Sequence, residues 1–210
     1  MTQPTRLRAD AQRNRDSLTA AARAAFAEHG IDASLDEIAR RAGVGSGTLY
    51  RHFPARDDLA AAVFLERVTE IVTLLEHAQQ CEDPWSALAE FLRQTCQALA
   101  ADRGLAEILA IGHPRHDLGV LRDRAYQGMT ALIERARARG SVRADLCADD
   151  IVLLLLAVAG ITRRAGTAAT AATERFVALA LDGFRSQGAS PAPPPVPVFP
   201  EFGEHLPNRP

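Results

Sequence analysis

Seven consecutive residues, Ser46-Gly47-Thr48-Leu49-Tyr50-Arg51-His52, gather an unusual density of hydrogen-bonding chemistry in one short segment of this 210-residue chain. At helical spacing, Leu49 and Phe53 fall on one face, pointing inward. Ser46, Gly47, Thr48, Arg51 and His52 take the outward face, with Tyr50 at the edge between them. Hydroxyls, a guanidinium, an imidazole and a phenol are partners for phosphate oxygens and base edges. Short side chains in a first helical turn let the backbone come close to another surface. Gly, Ser and Thr are poor helix formers, so a helical hairpin with no outside partner rarely places all three there. The plainer alternative is a surface helix with a polar face.

Other reactive residues do not assemble into a catalytic pattern. Asp149 and Asp150 are sequence neighbours that read as the acidic first turn of a helix, not as a paired acid and base. His113 and His116 flank Pro114-Arg115 with Asp117 adjacent, too crowded in one loop to converge on an ion. Cys81, Cys96 and Cys147 are odd in number and widely spaced, which fits three reduced thiols of a cytosolic protein better than a zinc site or a disulfide framework. A glycine-rich phosphate loop, a nucleophile elbow and an HExxH pair are all missing. The sequence therefore predicts no catalytic residue, no metal, no cofactor and no enzyme activity.

The elements that must position the Ser46–His52 segment read as helix throughout. Leu18, Ala22, Ala25, Phe26 and His29 form one face of a helix over 10–29, stopped at Gly30. Ser34 with Glu37 three residues on is the pattern of a capping box opening a second helix, which buries Leu35, Ile38 and Ala39 and ends at Ala42-Gly43. The third helix covers 46–53 and stops before Pro54. A long fourth helix follows over 56–80, with Asp57 and Asp58 in its first turn. Further helices are predicted over 85–101, 105–111, 118–139, 148–163 and 169–185, divided by Gly104, Gly112 with Pro114, Gly140 and Gly166.

Composition fits a soluble helical protein: 47% hydrophobic, 24% charged and only 5% aromatic. All 24 cationic residues are Arg. Residues 1–56 carry a net charge of +3 and residues 57–210 a net −5, so a basic N-terminal module sits on an acidic body. The polar, Arg-rich start is unlike a secretion signal, and the apolar run 151–161 is shorter than the roughly 20 residues a membrane span needs. A cytoplasmic protein without a membrane partner is expected. Residues 188–210 hold 8 of the 12 prolines and are expected to be an extended or disordered tail.

The stretch from Ser34 to Leu59 resembles the helix-turn-helix of the TetR family of transcriptional repressors. The likeness rests on Ile38-Ala39, on Ala42-Gly43-Val44 at the turn, on Gly47-Thr48-Leu49-Tyr50 and His52-Phe53, on Leu59, and on Phe26 and Gly30 before them. It covers roughly residues 15–65. It implies an all-α fold with an N-terminal three-helix DNA-binding domain (1–55), a larger helical effector-binding and dimerisation domain (56–187) and the Pro-rich tail (188–210). It implies a homodimer on a palindromic double-stranded operator, released by a small, mainly apolar effector. Thr48, Tyr50 and His52 stand at positions that contact DNA backbone and bases. Ser46, Gly47 and Arg51 stand at variable positions that set operator sequence, and Ser34 where the second helix meets a phosphate. Gly45 departs from the Ser or Thr that many members use as a cap, and Ser46 is an alternative cap. Arg6, Arg8, Arg13 and Arg15 are either a DNA-reaching arm or a solvated terminus.

For the body, Trp85, Phe91, Cys96, His113, Tyr126 and Met129 are the candidate ligand-binding residues, with core filling as the alternative for each. Leu155, Val158, Phe176, Leu179 and Phe184 are the candidate dimer contacts, with an internal core as the alternative. A helical small-molecule carrier or an interaction module without a DNA role is the competing functional reading.

Overall fold

The computed structural model describes residues 3–111, 116–187 and 190–194. Among these the chain runs α1 (Gln3–His29), α2 (Leu35–Arg41), α3 (Ser46–His52), α4 (Arg56–Ala78), α5 (Pro84–Ala101), α6 (Arg103–Ile111), α7 (His116–Ala138), α8 (Ala148–Ala165), a single 3-10 turn and α9 (Ala169–Phe184). The architecture is all-α. One isolated bridge, Val142 to Arg185, is the only strand-like pairing among the described residues. Helix ends fall close to the predicted ones. The main difference is α1, which begins at Gln3 instead of Asp10; Pro4 sits at its second position, where a missing N–H costs nothing.

The first three helices form a small head. Leu18, Ala22 and Phe26 of α1, Ile38 and Ala39 of α2, and Leu49 and Phe53 at α3 are each almost wholly buried together. The α2–α3 turn closes by backbone bonds alone. Gly43 N–H donates to Arg40 O at 3.1 Å and Val44 N–H to Ala39 O at 3.0 Å, a double closure that needs the positive φ of +71° found at Gly43.

The head is not an independent bead. Leu59, Val63 and Phe64 on the first turns of α4 belong to its core, and the Phe26 and Phe64 rings stack at 5.8 Å. Arg56, the first residue of α4, donates to the carbonyls of Ile31 (2.7 Å) and Ala33 (2.6 Å) and so ties α4 to the α1–α2 connection. From the body side, the Glu107 carboxylate on α6 accepts the Ile31 N–H at 2.9 Å, and Arg103 pairs with the same carboxylate at 2.9 Å. The body packs α5 against α8 and α9, α4 against α7, and α6 against α8.

α8 and α9 make a hairpin. Gly166, with φ +53°, ends α8, and the 3-10 turn Gly166–Ala168 leads straight into α9. Within Ala148–Phe184 an 18-residue window is apolar enough to cross a membrane by composition, with mean hydropathy 1.6, yet only 22% of that window is buried within the chain. The fold divides Ala148–Phe184 into two packed helices and leaves much apolar surface outside.

The Pro-rich stretch begins tied down. Arg143 bridges Asp145 at 2.5 Å and donates to the Ser190 carbonyl at 2.7 Å, while Ala192 N–H donates to Asp145 at 3.2 Å. The Arg143 guanidinium, helped by the Ala192 amide, holds the Asp145 carboxyl well below the usual carboxylate range. The extended segment 190–194 is therefore anchored.

The head–body junction makes a stability prediction. A Cβ on Gly104 would lie 2.7 Å from the Phe64 ring and 2.9 Å from Phe26 Cβ. Gly104→Ala is expected to destabilise the protein by about 1–3 kcal/mol through overpacking. A thermal melt followed by circular dichroism should show Tm lower by several degrees. An unchanged Tm would mean that the junction yields without cost.

Candidate nucleic-acid interface and interior cavity

The outward face of α3 is built by what its inward face spends on packing. Leu49 and Phe53 are each 1% exposed and fix the helix in the head. Arg15 on α1 reinforces this: its guanidinium lies 4.5 Å over the Phe53 ring and donates to the His52 carbonyl at 3.4 Å. Arg13 pairs with Asp10. Of the four N-terminal arginines, these two are therefore engaged within α1 and the head. The side chains of Arg6 and Arg8 lie outside the described residues.

Opposite that anchor, Tyr50 is 51% exposed and Arg51 is exposed, donating to Thr48 Oγ1 at 2.9 Å. His52 and Thr48 are half-buried at the rim. Among the described residues nothing lies within 4 Å of a Cβ added at Gly45 or Gly47, and neither has a positive φ. Neither packing nor backbone conformation within the chain calls for glycine at these two positions. Glycine costs about 1 kcal/mol relative to alanine inside a helix. What it leaves at Gly47 is a bare backbone on the open face.

Two expectations about caps need correction. Ser34 accepts the Glu37 N–H at 3.4 Å, the first half of the capping box. The second half is missing, because the Glu37 carboxylate is drawn to Arg40 at 2.7 Å and Arg41 at 2.9 Å, which lower its pKa. Charge-assisted bonds to two guanidiniums outcompete a neutral backbone amide. Ser46 does not cap α3. Gly45 holds the cap position without a side-chain bond, and Ser46 Oγ donates to Asp36 on α2 at 2.7 Å. That bond fixes the angle between the two helices instead.

The body holds a cavity with about 100 Å³ of free space between α4, α5, α6, α7 and α8. Its wall is almost entirely apolar, and it includes Phe91, Tyr126 and Met129 as well as Leu155. The other ligand candidates lie elsewhere. Trp85 sits in the first turn of α5, where the Arg185 guanidinium stacks on it at 4.8 Å. Cys96 points from α5 toward α9, beside Thr173 and Val177. His113 lies outside the described residues. The sequence reading missed Thr95, Leu109 and Arg122 of the wall. None carried a signal, since each is a single residue on an amphipathic helix.

The candidate dimer contacts divide in the same way. Val158 is 0% exposed inside its own chain, so it cannot also meet a partner. Leu155 turns to the cavity. Leu179 is 59% exposed, and Phe176 and Phe184 are half-buried against the core. Leu153 on α8 is also exposed, at 48%.

Comparison with known proteins places this geometry. Residues 18–63 match the model for bacterial regulatory proteins of the tetR family, and residues 83–186 match the model for the C-terminal domain of SbtR-like transcriptional regulators. The solved structure of a TetR transcriptional regulator from Streptomyces coelicolor is 34% identical, with 83% of this chain and 99% of that chain covered and a TM-score of 0.55. A TetR transcription regulatory protein from Mycobacterium vanbaalenii is 37% identical over 85% of this chain and 99% of its own, with a TM-score of 0.50. An HTH-type transcriptional regulator of Staphylococcus aureus is 33% identical over 88 residues, 41% of this chain and 46% of that protein. The match thus spans about half the length of these curated relatives.

The three thiols give a direct check on the placement of Cys96. It is 1% exposed, and burial pushes its pKa up to about 12, whereas Cys81 is exposed. Because the thiolate is the reactive form, Ellman's reagent at pH 8 is expected to modify Cys81 promptly and Cys96 only after denaturation. Prompt reaction of Cys96 in the native protein would show that α5 and α9 do not pack as described.

Proposed function

The chain belongs to the TetR family of bacterial transcriptional regulators, and from that premise we propose that it is a repressor: a homodimer that holds a palindromic operator and lets go when a small, mainly apolar effector binds. The observation that carries the DNA-binding part is the outward face of α3, where Gly45 and Gly47 serve no packing role and Thr48, Tyr50 and Arg51 face away from the core. In this reading α3 enters a major groove, and Gly47 lets its backbone approach the duplex closely. Thr48, Tyr50 and His52 hold phosphates and bases, and Ser46 and Arg51 help select the sequence. Ser34, which accepts the Glu37 amide, keeps its own O–H for a phosphate. Residues 1–55 act as the reading head and residues 56–187 as the sensing and dimerising body.

The dimer forms through α8 and α9. A palindromic site asks for two-fold symmetry, and the hairpin exposes Leu153 and Leu179 on a stretch that is apolar but little buried. Phe176 and Phe184 flank the contact. The effector occupies the cavity lined by Phe91, Tyr126 and Met129. Its route to the head is short. Leu109 of α6 lines the cavity, and two residues earlier Glu107 grips the Ile31 amide at the base of the head. A ligand that shifts α6 or α4 changes the spacing of the two heads. It needs only a differential affinity for the two spacings, and a coupling of about 1–3 kcal/mol changes occupancy 5- to 150-fold.

Two measurements test this reading. On duplexes selected from a random pool, affinity is expected to fall steeply with salt, since phosphate contacts release counterions. Thr48→Ala and Tyr50→Ala should weaken all selected duplexes, while Arg51→Ala should cost about 1–3 kcal/mol at particular base pairs. Unchanged affinity for both Thr48→Ala and Tyr50→Ala in mobility-shift assays rejects the assigned surface. In sedimentation equilibrium without DNA, the wild type should be dimeric at micromolar concentration. Leu179→Arg, at a position open within the chain, should give a folded monomer. A folded Leu179→Arg dimer rejects the α8–α9 interface.

A further inference from the structure

Fifteen described residues line the cavity, and their chemistry is lopsided. α4 contributes Val68, Ile71, Val72 and Leu75, α8 contributes Ala148, Ile151, Val152 and Leu155, and Phe91, Leu109, Ala125 and Met129 complete the apolar wall. Three polar side chains remain: Thr95, Arg122 and Tyr126. Tyr126 donates its O–H to the buried Asp149 at 3.3 Å, so that proton is directed to a carboxylate that is not part of the wall. Thr95 is 2% exposed, and its hydroxyl has no hydrogen-bond partner among the described residues. Arg122 is the one charged side chain among the described lining residues. It also makes contacts inside the protein, and five N–H donors leave it capacity for more.

An apolar wall interrupted by one guanidinium and one unsatisfied hydroxyl has a definite complement. An unpartnered buried hydroxyl costs free energy until something accepts or donates to it. An Arg at the edge of such a wall favours an anion over a neutral or cationic group, above all a planar carboxylate. Resting on the effector reading above, we propose that the cavity takes an apolar carboxylate, a short to medium alkyl or single-ring acid, with its acid group on Arg122 and the Thr95 hydroxyl bonded to an oxygen of the ligand. The hydrocarbon part lies among the α4 and α8 side chains. The free space of about 100 Å³ suits an occupant of that size class.

Calorimetry on the full chain without DNA tests this with octanoate, octan-1-ol and octylamine as probes. Octanoate is expected to bind at least about tenfold more tightly than octanol, and octylamine not at all. Arg122→Met should bring octanoate down to the octanol level without changing octanol, and Arg122→Lys should restore part of the anion preference. Thr95→Val should weaken octanoate several-fold. Met129→Trp, which fills the cavity, should abolish binding of both. Equal affinities for octanoate and octanol, undiminished octanoate binding in Arg122→Met or in Met129→Trp, or no octanoate binding at millimolar concentration would each overturn the proposal. The release function is read separately, by adding octanoate to the operator complex. Binding without release leaves the ligand class standing and removes the effector role.

Discussion

A helix of seven residues cannot hold itself together in water, because nucleation costs more than so few backbone bonds return. α3 exists only because Leu49 and Phe53 are driven into the head, with Arg15 closing over Phe53 from outside. Everything on the other face follows from that anchorage. Once the inner face supplies the stability, the outer face is free to carry glycine, hydroxyls and an exposed Tyr50, none chosen for helix propensity. The Ser46–Asp36 bond and the glycine-closed turn then fix α3 relative to α2, so the exposed side chains are held at a set angle.

The same economy of contacts governs the junction between head and body. Two ionic side chains bind one stretch of backbone. Arg56 binds the Ile31 and Ala33 carbonyls, and Glu107 binds the Ile31 amide. Beneath them, Gly104 lets α6 approach Phe26 and Phe64 more closely than any side chain would allow. A displacement of α6 is therefore passed to the α1–α2 connection through hydrogen bonds and hard contacts, with no soft intermediary.

Much of this was legible in the sequence, for local reasons. Helices announce themselves through apolar spacing and end at Gly30, Gly43, Gly140 and Gly166, each with a positive φ. The α3 surface was legible because its residue types conflict with helix propensity, and such a conflict is itself a signal. What could not be read were the partners far along the chain: Glu107 and Ile31 are 76 residues apart, and neither stands out in its own segment. The face of α8 was illegible for a different reason. A helix apolar nearly all round has no phase, so nothing in the sequence distinguishes Val158, sealed inside, from Leu153, left outside. Trp85 and Cys96 failed as cavity residues because bulk and softness say nothing about direction. The half-formed capping box at Ser34 shows a local motif overridden by stronger competitors, Arg40 and Arg41.

One helix, α4, carries the hydrophobic core continuously from the head into the body. Its first turns place Leu59 and Phe64 among the head residues, and its later turns place Val68, Val72 and Leu75 in the body. The head cannot open without stripping the start of a helix whose other end is clamped in the body. Head and body therefore form one cooperative unit in local-unfolding terms, not two that fray separately. Amide protons along the middle of α4 belong among the slowest to exchange with solvent.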